Sequence, residues 1–245
     1  MVAAPAVADA ISRARRLPGL RVGLHLVLVE GEAVLPATEI PRLVDAAGVF
    51  PKDQVTAGFR FFFSPAVRRE LGREIEAQFR AFQASGLALD HVNAHKHMHL
   101  HPTVARLIVE IGRRFALRAV RLPYEPPAVI AAAGDRNPGL GAKALALWTG
   151  GLRRRLRRAG LKMNDQVFGL AWSGAMTEAR WLRLLPLLPD GVSEVYSHPA
   201  IETAASLARI PGYQPGAELA ALVSPKVRAR LGELGIALGS FDALG

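Results

Sequence analysis

A chain of 245 residues, half of them apolar, can bury the core of one large α/β domain. The lack of cysteine excludes disulfide staples, thiolate zinc sites and a cysteine nucleophile, and no apolar run reaches the roughly 18 residues that span a bilayer. The formal net charge of +10, carried by 31 basic residues of which all but five are arginine, suits an anionic membrane or ligand. No nucleic acid is expected as a partner, because no recognition motif and no interleaved aromatics accompany the basic residues.

The opening, MVAAPAVADAISRARR, has no basic stretch ahead of an apolar core, so no secretory leader is predicted. RVGLHLVLV over 21–29 reads as a strand. A stretch with Pro36, Pro41, Gly48 and Pro51 then reads as a long loop. Over 65–85, Val67, Leu71, Ile75, Phe79 and Phe82 recur at helical spacing, and Gly86 is placed to stop the helix. LALDHVN is a candidate strand, and Pro102 opens a helix over TVARLIVEIGRRF.

LRAVRLP is strand-like, and 142–159 is helical up to Gly160. That helix carries the densest basic run, GLRRRLRRAG, which reads as a solvated face or as a contact for anionic lipid headgroups. QVFGL is a strand, Thr177 is placed to cap a helix over EARWLRLL, and SEVYS is a strand followed by HPA. The stretch 217–234 is helical with a break at Pro225, and IALGSF reads as a last strand. Repeated β-then-α order predicts a parallel sheet, open or closed, in a single domain over 1–245.

The seven histidines all fall at strand ends or just beyond. His25 lies in GLHL, five crowd into DHVNAHKHMHLHP, and His198 follows SEVYS. Neutral imidazole is the commonest protein ligand of transition metals. In an extended segment His95, His97, His99 and His101 would point to one side, with alternate residues about 6.6 Å apart. One or two can then bind an ion, and the others orient ligands, contact substrate or cap the helix after Pro102. His25, His95, Arg121 and His198 each sit near the end of a different candidate strand, where α/β barrels carry their chemistry.

GLHL, VNAHKHMHLHP, the RLP stretch with Arg121, and EVYSHPA stand in the order found in the YdjC-like (ChbG-type) carbohydrate deacetylases, which the chain resembles over nearly its whole length. RVGLHLVLVEG followed by LP, together with WSGAMTE, resembles the hopanoid-associated HpnK branch. The resemblance implies an irregular, TIM-like β/α barrel. It implies a metal held by one aspartate and two histidines, which by position are His25 and His95. It makes His198 the candidate catalytic acid and Arg121 a substrate-binding residue; His97 and His99 are the members of the cluster expected to contact substrate. His97 and His101 before Pro102 also match the H-x-x-x-H-P spacing of polysaccharide deacetylases, which leaves the choice of ligand within the cluster open.

Family members begin with a strand ending in an Ala-Asp-Asp-Phe-Gly-like motif. The opening here resembles sequence further inside the family domain, so a first strand and helix, one metal ligand and a base are expected to be missing. Asp9 and Asp90 do not occupy the aspartate's position. The implied activity is hydrolysis of an N-acetyl group from an acetylamino sugar, through magnesium or zinc. The implied substrate is an N-acetylglucosaminyl hopanoid lipid, met by a cytoplasmic protein at the periphery of an anionic membrane. One rival is another barrel amidohydrolase, which needs a further metal lysine or aspartate at a strand end. The other is a homologue that binds sugar, lipid or metal without turnover.

Overall fold

The computed structural model describes residues 1–134, 140–203, 207–208 and 210–243, with the side chains of 140–147 left aside. The chain forms two compact units. The first comprises 1–121, 151–163 and 240–245, and the second 122–150 and 164–239.

The first unit is built on two parallel strands, β1 (Val22–Leu26) and β2 (Leu89–Ala94). Their connection is a long loop followed by helices α2 (Gln54–Phe63) and α3 (Pro65–Ala84), and α1 (Val7–Arg15) precedes β1. The parallel ribbon continues through single bridges, Val92 to Val120 and Ala119 to Lys162. A short kinked 3₁₀ segment, His95–Leu100, follows β2 and leads into α4 (Pro102–Gly112). His101 caps α4 by accepting from Thr103 N–H through Nδ1, at 3.2 Å. Pro102 in the first turn needs no N–H partner.

Helix α3 faces the ribbon with two rows of side chains. Leu71, Ile75 and Phe79 are fully buried and supply the apolar contact. Glu70, Glu74 and Gln78 form a buried polar row at i, i+4, i+8 that holds the long loop. Gln78 accepts from Val27 N–H (3.0 Å) and donates to Val27 O (2.7 Å), so one amide stands in for a strand neighbour. Glu74 accepts from the N–H groups of Val34 and Leu35, and Glu70 from Arg42 N–H. Burial raises the Glu74 carboxyl above its ordinary value, against the pull of those bonds. These contacts tie the long loop to α3 and satisfy backbone groups that have no ladder of their own.

In the second unit, β3 (Gln166–Phe168) pairs in parallel with β4 (Ser193–Val195). Asn164 clamps the backbone of Leu122 from both sides, at 2.7 and 2.8 Å. The core gathers Phe168, Trp172, Met176 and Trp181 with Leu184 and Leu185 of the helix Glu178–Leu184 and the turn after it. The helical stretch after 214 is two helices, Pro215–Leu222 and Pro225–Glu233, broken where Pro225 predicts. The helix Leu140–Arg158 ends in the first unit, where it buries Leu152 and Leu156 and exposes Arg154, Arg155, Arg157 and Arg158. No helix among the described residues is long and apolar enough to cross a membrane.

The α/β class and the parallel pairing follow the sequence reading. A closed barrel is not traced: the named strands among the described residues form two two-stranded sheets, β1 with β2 and β3 with β4. IALGSF is not a strand, because it ends in a 3₁₀ turn over Phe241–Ala243. Helices α1 and α2 were not expected.

Replacing Gln78 by leucine would orphan a buried N–H and a buried C=O at Val27. Chemical denaturation should register a loss of roughly 2–4 kcal/mol; a loss under about 0.5 kcal/mol would show that the amide is dispensable.

Candidate functional site

His25 sits one residue from the end of β1, and His95 is the first residue past β2. The register sets His25 beside Asn93 and Leu26 beside Ala94, so both imidazoles leave the same end of the ribbon. Their ring centroids lie 5.7 Å apart at 75°. Two imidazoles sharing one ion at tetrahedral or square angles would have centroids about 4.5–5.3 Å apart, given Zn–N near 2.0–2.1 Å. The observed separation lies just outside that range.

Burial is the main cause that holds the His25 imidazole neutral, down to about 3. A hydrogen bond to Asn93 opposes it, and the Met1 amino group, His95 and Arg121 push the same way as burial. Neutral imidazole is the form that binds a cation. His25 Nδ1 lies 2.6 Å from Asn93 Oδ1. An Nδ1–H donating there leaves Nε2 with its lone pair, the arrangement in which a second contact fixes a ligand's tautomer. The donor set therefore fits a divalent cation at two positions. Among the described residues no three His, Asp or Glu side chains converge in a way that completes a site.

The histidine-rich segment is not extended, so its members do not alternate. Lys96 and His97 take left-handed conformations, with φ of 49° and 54°, and Glu30 across from them has φ of 50°. Such residues cost on the order of 1 kcal/mol each and persist where surrounding contacts over-determine them. Here the Lys96 ammonium donates to Glu30 Oε1, and Glu30 Oε2 lies 3.9 Å from His95 Nε2. The ion pair ties the two strained turns together beside His95.

The turn sorts the histidines by task. His97 is half-buried, with its ring edge-on to His99 at 5.8 Å. His99, expected at the substrate, is fully buried. Its imidazole is pushed well below the ordinary value first by burial, then by the charges of His97, Arg121 and His25. His101 caps α4 and packs edge-on against Phe61 and Phe62. Arg121 is buried, its N–H bonded to Val92 O, and its charge acts on both His25 and His99. Asp9 is exposed on α1 and paired with Arg13.

His198 belongs to the second unit, just after β4. It is exposed, with its ring between Tyr196 (5.4 Å) and Tyr213 (5.1 Å). The fully buried Glu218 positions it by accepting from the N–H groups of His198 and Met176. Asn93 and Glu30 escaped the sequence reading. Asn93 had a usable signal, since it alternates with His91 and His95 along β2; Glu30 had none beyond its place after the first strand.

Residues 1–233 match the family model described as YdjC-like protein. The chain belongs to the YdjC-like family. A carbohydrate deacetylase of Geobacillus stearothermophilus is 28% identical over 237 residues, covering 96% of this chain and 80% of that protein. Carbohydrate deacetylases of Brevibacillus brevis (34% identical over 115 residues) and Vibrio vulnificus (38% over 116) match 47% of this chain. Each of those matches spans 43% of the relative. The fold resembles the crystal structure of a cellobiose-phosphate cleavage protein of Enterococcus faecalis V583. The TM-score is 0.72 at 22% identity, over 99% of this chain and 85% of that one.

His99 binds a proton in the unfolded chain below about pH 6.5 and resists it in the folded one. Folding stability is therefore complete above that pH and is lost as pH falls below it. His99→Leu should flatten the slope of unfolding free energy between pH 6.5 and 4.5; an unchanged slope would mean that His99 titrates freely in the folded protein.

Proposed function

We propose that this protein is a metal-dependent carbohydrate N-deacetylase whose ligands include His25 and His95. The observation that carries the reading is the pair of imidazoles, 5.7 Å apart at adjacent strand ends, one of them held neutral by burial. The deacetylase relatives support the reaction class. A magnesium or zinc ion held there would supply Lewis acidity toward an amide carbonyl and lower the pKa of water.

The chain's own groups divide the remaining work. His25 and His95 would hold the cation, and the Glu30–Lys96 ion pair would keep the second ligand in its turn. Arg121 and His97 are assigned to the sugar. His198 is assigned, by its place in the HP motif, the proton that the leaving amine takes.

An N-acetylglucosaminyl hopanoid lipid is the substrate we favour, met by a cytoplasmic protein at the membrane periphery. One surface supports it. Val55, Phe59, Phe62 and Phe63 are all at least half exposed on α2, and Phe59 stacks on Phe63. Phe62 adjoins His101, so this apolar face borders the histidine segment within one unit. An exposed aromatic face of this kind marks a ligand or membrane contact.

Acetate release from an N-acetylglucosaminyl lipid should stop with chelator and fall at least 100-fold in His25→Ala or His95→Ala, with the circular dichroism unchanged. Undiminished turnover in both would reject the ligand assignment; sugar binding without turnover in the parent chain would favour the non-catalytic rival. Phe59→Ser with Phe63→Ser should raise KM about tenfold for the lipid and leave a soluble acetylated sugar unaffected. Charge reversal at Arg154 and Arg155 should weaken binding to anionic liposomes at low salt, and equal binding would return that helix face to plain solvation.

A further inference from the structure

The residues behind His25 form a single hydrogen-bonded line. Asp90 Oδ2 lies 2.8 Å from His91 Nδ1. His91 Nε2 lies 3.2 Å from Asn93 Nδ2. Asn93 Oδ1 lies 2.6 Å from His25 Nδ1. Asp90 and Asn93 are both buried, and the His91 side chain is 15% exposed.

The direction of the line follows from its far end. An ionised carboxylate only accepts, so His91 must donate from Nδ1. The Asn93 amide presents its NH₂ to His91 Nε2, which accepts there. Its oxygen is left to face His25, which must donate from Nδ1. The last atom in the sequence, His25 Nε2, is bare. With the amide turned over, its NH₂ would meet His25 Nδ1, and the proton would move to the nitrogen that a cation needs.

Three local features hold this line in place and have no other evident use. The β1–β2 register shifts between Val22 and Leu24, so β2 carries one extra residue there. Such a bulge re-aims side chains, and here the neighbours Asp90 and His91 both join the line. Gly23 faces it: a Cβ at that position would stand 2.6 Å from the His91 ring. Phe241 stacks on the other side of His91, with centroids 4.2 Å apart at 26°. The turn that carries Phe241 is tied back by Asp242 N–H donating to Asp90 Oδ1 at 3.1 Å.

We propose that Asp90, acting through His91 and Asn93, is a positioning residue that fixes the tautomer of His25 and presents its bare Nε2 to a divalent cation. The cation rests on the metal reading given above; the tautomer does not. Outer partners of this kind typically contribute 10–100-fold to metal affinity.

The test uses metal-free full-length protein labelled with ¹⁵N-histidine. Long-range ¹H–¹⁵N spectra, with the His25 signals assigned from His25→Ala, should place the proton on Nδ1. In Asn93→Leu the Nε2–H form should appear. His91→Phe keeps a ring between Gly23 and Phe241, so it guards against loss of fold, and it should release the tautomer in the same way. Zinc affinity, read by competition with a chromophoric chelator, should fall 10–100-fold in both variants. An Nε2–H tautomer in the parent protein, or an unchanged one in both variants, would overturn the proposal. Should the tautomers behave as stated while zinc fails to bind the parent, the line stands and the metal assignment falls.

Discussion

The site depends on the parallel register between β1 and β2. With His25 set against Asn93, residue 95 is the first to leave the sheet, and two imidazoles emerge side by side. A slip of one residue would turn every side chain of one strand to the other face. His25 would then lose Asn93, and the pair would be split. The apolar residues secure that register. Leu24 and Leu26 are buried on one strand and Val92 and Ala94 on the other, so a slip would expose them.

Electrostatics in this unit favour neutral imidazole. Burial acts in the same direction on His25, His99 and His101, and lowers all three. Arg121 adds positive charge beside the first two. A region already so unfavourable to an imidazolium keeps its ring nitrogens available as lone pairs. Its cationic surroundings call for a compensating anionic group, and Glu30 supplies one carboxylate next to His95. Three of the four non-glycine residues at positive φ among the described residues, Glu30, Lys96 and His97, lie at this same point, which is where stored strain is expected in a functional turn.

Much of the fold was legible. The i+4 spacing of Val67, Leu71, Ile75 and Phe79 gave α3 its length, Pro102 marked a helix start because proline fits a first turn, and Pro225 marked the break between two helices. His25 and His95 stand at the ends of β1 and β2, and Arg121 follows single bridges at Ala119 and Val120. The turn after β2 was not legible. Alternating histidines suggest an extended strand, and only tertiary contacts such as Lys96 with Glu30 make two left-handed residues affordable there. Helix α2 was hidden because its apolar residues lie on both faces, with Phe61 buried and Phe59, Phe62 and Phe63 exposed. The final segment looked like a strand by composition, yet its partner is a side chain: Phe241 closes over His91 instead of adding backbone to a sheet.

The central claim is that two imidazoles from adjacent strand ends share one cation. X-ray absorption at the zinc edge, on protein loaded with one equivalent of zinc, tests it most directly. Zinc–nitrogen scattering near 2.0–2.1 Å with the outer-shell pattern of two imidazoles is the result expected, falling to one in His95→Ala. A spectrum showing only light-atom oxygen ligands, or one unchanged by that substitution, would contradict the account.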